Sequence, residues 1–345
     1  MLHSAAVRHS IPRLALALSV AFVPANAITQ PRPQPVLDMH LHANAADSQG
    51  PPPLGVCLGL SGLPPWDQRG VWADQFIAWT KKPTCANPIW SPATNDAVRE
   101  DTIAVMNRRN IVGVLSGTPA RVARWRQAQP DRFIPGLTFQ LGPNAPTPDD
   151  LKALHAKGQL AVFAEVANQY AGIAADDPRF EPYLALAETL DIPLGIHIGI
   201  GPPGAAHLFP AYRARLHSAL QLEEPLQKHP KLRVYVMHAG WPLADDLLAL
   251  LWAHRQVYVE IGAIVWALPE AEFYRYLQRL VEAGFGNRVM FGSDQMVWPG
   301  VIEPSIERIE KASFLSDAQK REILYNNAAR FLRLSPAEVD RHHGR

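Results

Sequence analysis

His40-Leu41-His42 closes the apolar run Val36-Leu37-Asp38-Met39, and in an extended strand residues two apart point to the same face. Two imidazoles aimed at one point suggest a metal site, although a partly exposed pair at a strand end has the same spelling. Three more ligand-type residues end runs of similar character: His197 after Ile192-Pro193-Leu194-Gly195-Ile196, His238 after Val234-Tyr235-Val236-Met237, and Asp294 after Val289-Met290-Phe291-Gly292-Ser293. A further run, Ala161-Val162-Phe163-Ala164, ends in Glu165. A β-branched or aromatic run is stable when both faces are covered, and an ionisable group at its C-terminal tip is tolerated only where partners or a metal satisfy it. Five such tips in a regular order argue for one shared site.

The elements that position these tips repeat. Short β-like runs cover residues 36–42, 111–116, 133–139, 160–166, 192–198, 232–238, 257–261 and 288–294, with helix-like stretches between them such as 149–157, 178–190, 243–254 and 271–283. Strand and helix alternating eight times predicts an α/β chain folded as a parallel (β/α)8 TIM barrel, whose functional groups gather at the C-terminal ends of its strands. A doubly wound open sheet is the alternative, but it places its ligand at one switch point instead of using tips from the first strand to the last. Gly199-Ile200-Gly201-Pro202-Pro203-Gly204 puts proline where a helix would have to begin to receive a pyrophosphate, which argues against a dinucleotide cofactor. Ser316-Asp317-Ala318-Gln319 reads as a capping box opening an amphipathic closing helix over residues 317–332.

With 345 residues, 48% hydrophobic content and 33 basic against 32 acidic side chains, the composition is that of a soluble globular protein and does not indicate a nucleic-acid partner. The first 27 residues read as a secretory signal: Arg8 and Arg13, an apolar stretch from Leu14 to Val23 too short to span a bilayer, and the small-x-small site Ala25-Asn26-Ala27. The expectation is a secreted or periplasmic protein over residues 28–345, with no membrane span after cleavage. Residues 44–110 are a long insertion after the first strand, rich in tryptophan and proline, expected to pack as a lid over the mouth of the barrel; a flap on the barrel's side is the alternative. In an oxidising compartment Cys57 and Cys85, inside that insertion, are expected to pair.

The strings Asp38-Met39-His40-Leu41-His42, Met237-His238-Ala239-Gly240, Phe291-Gly292-Ser293-Asp294 and Asn327-Ala328-Ala329-Arg330 together resemble the amidohydrolase superfamily, and within it the amidohydrolase-2 group that includes aminocarboxymuconate-semialdehyde decarboxylase-like enzymes. The resemblance runs over about residues 35 to 333. It implies that His40, His42, His197 and Asp294 ligate a divalent metal, zinc before manganese, iron, cobalt or nickel, while His238 either holds a second ion or polarises the substrate. It leaves Glu165 with two readings: a carboxylate bridging two metals, with His197 and His238 then holding the second, or a buried group bonded to a ligand imidazole. Glu260 is a lesser candidate, read here as a structural ion pair. His155, His207, His217, His229 and His254 lie in helix or loop contexts and read as bystanders.

The chemistry implied is water activation. A divalent ion lowers the pKa of its water to about 7 and acts as a Lewis acid; Asp294 would move the proton and His238 would stabilise the oxyanion. The first expectation is a hydrolase for an amide, ester or lactone bond of a small organic substrate, with an apolar or ring-bearing one favoured by the aromatic insertion. The second is non-oxidative decarboxylation of an aromatic or unsaturated acid on the same scaffold. The third is a silent barrel that only binds. Assembly into a homo-oligomer stays open.

Overall fold

The computed structural model describes residues 1–2 and 33–345. The expected secretory signal, with its charged start, apolar stretch and cleavage site, lies outside the described residues. Among the described residues there are ten strands, in chain order: β1 Val36–His42, β2 Gly55–Val56, β3 Ile89–Trp90, β4 Ile111–Ser116, β5 Phe133–Phe139, β6 Val162–Val166, β7 Leu194–His197, β8 Val234–Met237, β9 Tyr258–Glu260 and β10 Val289–Met290. Eight of them form one sheet in the order β1-β4-β5-β6-β7-β8-β9-β10, with every neighbouring pair parallel. Helices alternate with these strands, from Asn95–Arg108 before β4 to Ile302–Lys311 after β10. This is the expected (β/α)8 barrel. The seam between β10 and β1 carries no ladder of its own; it is closed by Met39 N donating to Phe291 O (2.9 Å) and Asp294 N donating to His40 O (2.8 Å).

All eight sequence runs become strands, and the differences lie at their tips. The runs ending at His238 and Asp294 stop at Met237 and Met290, because the chain there leaves extended geometry: His238, Ala239, Asp294 and Met296 all take positive φ between 47° and 59°. A left-handed conformation costs a side-chain-bearing residue on the order of 1–3 kcal/mol and persists only where surroundings over-determine it. These turns swing the ligand-type side chains off the end of the sheet.

The core divides into a large cluster between strands and helices and a smaller one in which Leu37, Met39, Val114, Tyr235 and Met290 meet Tyr325 and Phe331 of the closing helix. That helix opens on the expected box: the Ser316 side chain accepts from Gln319 N, and the Gln319 side chain accepts from Ser316 N. It runs through one wide π turn, Glu322–Asn326, before Asn327–Leu332.

The insertion is shorter than expected. Residues 95–108 form a helix capped by Thr94 that buries Val98, Val105 and Met106 against the barrel, so it belongs to the first strand-helix repeat. A run of polar residues at its start disguises it. What remains, residues 43–94, holds the antiparallel β2–β3 pair and the helix Trp72–Lys81, and Cys57 is disulfide-bonded to Cys85. Among the described residues no helix is long and apolar enough to cross a membrane.

Candidate metal centre

β1 delivers His40 and His42, and the register that sets His42 opposite Ser116 on β4 places a hydroxyl beside its ring. β6 delivers Glu165, β7 ends in His197, and the left-handed turns after β8 and β10 deliver His238 and Asp294. All six side chains are buried and meet at one end of the barrel. Their ligand atoms fall into overlapping groups, His40 with His42 and Glu165, His40 with His238 and Asp294, and Glu165 with His197 and His238, the atoms of each group lying within 4.8 Å of one another.

Each imidazole has its Nδ1 proton pinned by an oxygen. His40 Nδ1 donates to Glu260 Oε2 (3.1 Å), His42 Nδ1 to Ser116 Oγ (3.0 Å), His197 Nδ1 to Gln169 Oε1 (3.0 Å) and His238 Nδ1 to Gly262 O (2.9 Å). A carboxylate or carbonyl oxygen can only accept, Ser116 already spends its hydroxyl proton on Leu41 O (3.1 Å), and the Gln169 amide is oriented by its Nε2 donating to Gly199 O (3.2 Å). The Nε2 atoms therefore carry lone pairs, and all four face inward. His40 Nε2 and His42 Nε2 lie 3.0 Å apart, His42 Nε2 is 3.0 Å from Asp294 Oδ1, and that buried oxygen has no hydrogen-bond donor. Facing lone pairs and an orphaned carboxylate oxygen repel one another unless a cation joins them, so this donor set fits a divalent metal.

The inward lone pairs draw protons as well as metal: burial disfavours charge on His40, yet Asp294 and Glu260 outweigh it and push the imidazole up to about 10, so a metal there would take the place of a proton on His40 Nε2. His197, where burial prevails, falls to about 3. Burial alone would raise the carboxyls of Glu165 and Asp294, but the surrounding imidazoles hold both below the usual range. The cluster is thus a buried pool of negative charge that attracts positive charge of any kind.

Glu165 stands between two pairs. Its Oε2 lies 4.0 Å from His40 Nε2 and from His42 Nε2, and its Oε1 lies 3.6 Å from His197 Nε2 and 3.5 Å from His238 Nε2. His197 is grouped with His238 and Glu165, the arrangement that the two-metal reading of Glu165 expects, and not with His40 and His42 as the one-metal reading has it.

Glu260 is paired, as expected, and its partner is His40 of the cluster (3.1 Å). It orients His40, and its other oxygen accepts from Gly262 N. The room for its carboxylate comes from Gly262 and Gly292, where any Cβ would collide with Glu260 Oε1. The residues that sequence reasoning passed over hold the ligands in place. Asp38 Oδ1 accepts from His40 N and Ser293 N (both 3.0 Å), and Gln295 grips the His42 backbone through His42 N (3.0 Å) and His42 O (2.8 Å). Asp38 and Gln295 adjoin the motifs, and that adjacency is a usable signal; nothing distinguishes Gln169 or Ser116. Of the bystander histidines, His207 stacks on Trp66 (4.2 Å), His217 sits between Tyr212 and Trp241 O, His229 between Glu181 and Glu188, and His155 bonds Leu160 O.

The cluster floors a cavity of about 320 Å³ with mostly apolar walls. Trp266, Trp298 and Phe209 come from the barrel loops, and Val56, Phe76 and Trp79 from the insertion.

A family model described as amidohydrolase, of the amidohydrolase-2 type, matches residues 37–334. The chain belongs to the amidohydrolase-2 family. Among solved structures, a TIM-barrel protein from Bordetella bronchiseptica aligns at 17% identity and TM-score 0.58, covering 90% of this chain and 100% of its own. A probable 2-pyrone-4,6-dicarboxylic acid hydrolase from Acinetobacter baumannii aligns at 16% and 0.56, over 87% and 99% of the two chains. A 2,6-dihydroxybenzoate decarboxylase from Rhizobium aligns at 15% and 0.51, over 88% and 99%. At these identities the likeness establishes the fold. No protein with a curated description matches significantly. Amidohydrolase-2 members include hydrolases and decarboxylases and usually bind a divalent metal, for which this chain has suitable side chains.

Proposed function

We propose that this amidohydrolase-2 chain is a divalent-metal-dependent hydrolase that cleaves an amide, ester or lactone bond in a small, apolar, ring-bearing molecule. The observation that carries the reading is the convergence of four imidazole lone pairs with Asp294 Oδ1 and both oxygens of Glu165 at the floor of an apolar cavity. His40, His42 and Asp294 would hold one ion and His197 with His238 a second, with Glu165 reaching both; imidazole and carboxylate donors suit zinc. Metal bound there supplies a Lewis acid and water of pKa about 7. Asp294 would hold the ion through its otherwise unpartnered Oδ1 and, as a carboxylate, would take the proton of the attacking water and return it to the leaving group. The aromatic walls exclude bulk water and position the ring, with the insertion serving as a lid. The cavity's charged lining consists of the cluster's own side chains, which supports a substrate without further carboxylates. The Cys57–Cys85 disulfide supports an exported, secreted or periplasmic setting.

Metal analysis of purified protein is expected to give up to two divalent ions per chain, and chelation is expected to abolish hydrolysis of aryl esters and lactones. Solvent oxygen from labelled water should enter the product acid. Release of labelled carbon dioxide from an aromatic acid without oxygen incorporation would replace hydrolysis by decarboxylation, and protein that neither carries nor rebinds metal would end both.

A further inference from the structure

Tyr170 stands at the edge of the cluster without a role in anything above. It belongs to the short turn Asn168–Ala171 that follows β6, and this turn is fixed on both sides: Asn168 Oδ1 accepts from Leu141 N (2.8 Å), and Gln169 brackets Gly199 while receiving the His197 Nδ1 proton. The Tyr170 ring is gripped by His197 (4.7 Å between centroids), Phe209 (4.7 Å) and Tyr212 (5.7 Å), and a Cβ on Gly201 would come within 3.0 Å of it. The phenol is therefore aimed by rigid surroundings. Its oxygen lies 3.0 Å from His197 Nε2, and because His197 keeps its proton on Nδ1, the Tyr170 hydroxyl is the donor.

That acceptor is the lone pair His197 would give to a metal. An imidazole lone pair serves one partner at a time, so engagement of His197 Nε2 strands the Tyr170 O–H in the cavity, held beside the cluster with its proton pointing inward. We infer that Tyr170 is a further catalytic residue, a hydrogen-bond donor to the oxygen of the scissile group, parked on His197 until that imidazole is taken. The inference rests on the hydrolase reading. A preorganised donor of this kind is worth roughly 10²- to 10³-fold in kcat where charge builds up on oxygen.

The test compares wild type with Tyr170→Phe, which keeps the packed ring, and uses Zn2+ alone and phenyl acetate as probes. Adding Zn2+ to metal-free wild type should give a near-ultraviolet tyrosine difference spectrum as the phenol loses its imidazole partner; Tyr170→Phe should lack it at equal metal content. Tyr212→Phe, whose hydroxyl faces Gly199 O and His217 Nε2, should keep it. With phenyl acetate, Tyr170→Phe should lose about 10²-fold in kcat with KM little changed. Identical difference spectra in wild type and Tyr170→Phe overturn the inference. So does a kcat within threefold of wild type, and so does loss of metal from Tyr170→Phe or a tyrosinate band in the loaded protein, either of which makes the phenol a ligand. If wild type hydrolyses no ester, the hydrolase reading fails by itself while the difference spectrum still reports whether the phenol leaves His197.

Discussion

Each imidazole of the cluster is held by one oxygen on its Nδ1, and these oxygens differ in kind: a carboxylate for His40, a hydroxyl for His42, an amide for His197 and a backbone carbonyl for His238. The carboxylate is the strongest orienter, and a partner of this type typically contributes 10- to 100-fold in metal affinity. Glu260→Gln is therefore expected to bind zinc about 10- to 100-fold more weakly in competition with a chelator, with circular dichroism unchanged. His42→Ala and Asp294→Asn remove first a proposed ligand and then the proposed proton acceptor, and each should lower turnover by roughly 10³-fold or more in protein that stays folded. The donor residues were legible in the sequence because each ends an apolar run. Their orienting partners were not, since Gln169, Ser116 and Gly262 O reach the site through strand register and turns that leave no pattern in one dimension. Glu260 shows the limit well: its alternation with Tyr258 marks it as a strand residue, and only closure of the barrel brings it to His40, 220 positions away.

The eight strands were legible as elements because buried parallel strands spell continuous β-branched and aromatic runs, whereas the first helix was missed because Asn95-Asp96 and Arg99-Glu100-Asp101 dilute its apolar stripe. Within the insertion, Cys57 sits between Val56 and Leu60, both on the cavity wall, and its bond to Cys85 spans 28 positions. In the chain-entropy account a closure of that length contributes on the order of 3–4 kcal/mol. The double variant Cys57→Ser/Cys85→Ser should be cut by trypsin faster after Lys81, while barrel ellipticity is retained. The C-terminal helix Pro336–His343 is fastened by His342, whose Nδ1 bonds the Tyr325 hydroxyl (2.9 Å) and whose carbonyl accepts from Asn110 Nδ2 (3.1 Å). Burial lowers the His342 imidazole from 6.5 to about 4. The unfolded chain therefore takes up a proton near 6.5 that the folded chain refuses until about 4, and the stability this group contributes is complete above that window and lost as pH falls through it. His342→Leu should flatten the decline of Tm over that interval relative to wild type.

At the scale of the whole molecule, the proposed ligand set runs from His40 to Asp294 and draws on β1, β6, β7 and the turns after β8 and β10. Metal binds such a set only once the chain has folded, so it should raise Tm in a concentration-dependent way, and chelation should reverse the gain. Three of the proposed ligands, His40, His42 and Asp294, flank the seam where β1 and β10 meet through two backbone hydrogen bonds instead of a ladder. An ion seated there would be a rivet across the joint between the first and last staves. Stripping it should speed amide hydrogen exchange at Met39 and Asp294 ahead of the other staves, and equal protection throughout would mean the joint holds without its fastener.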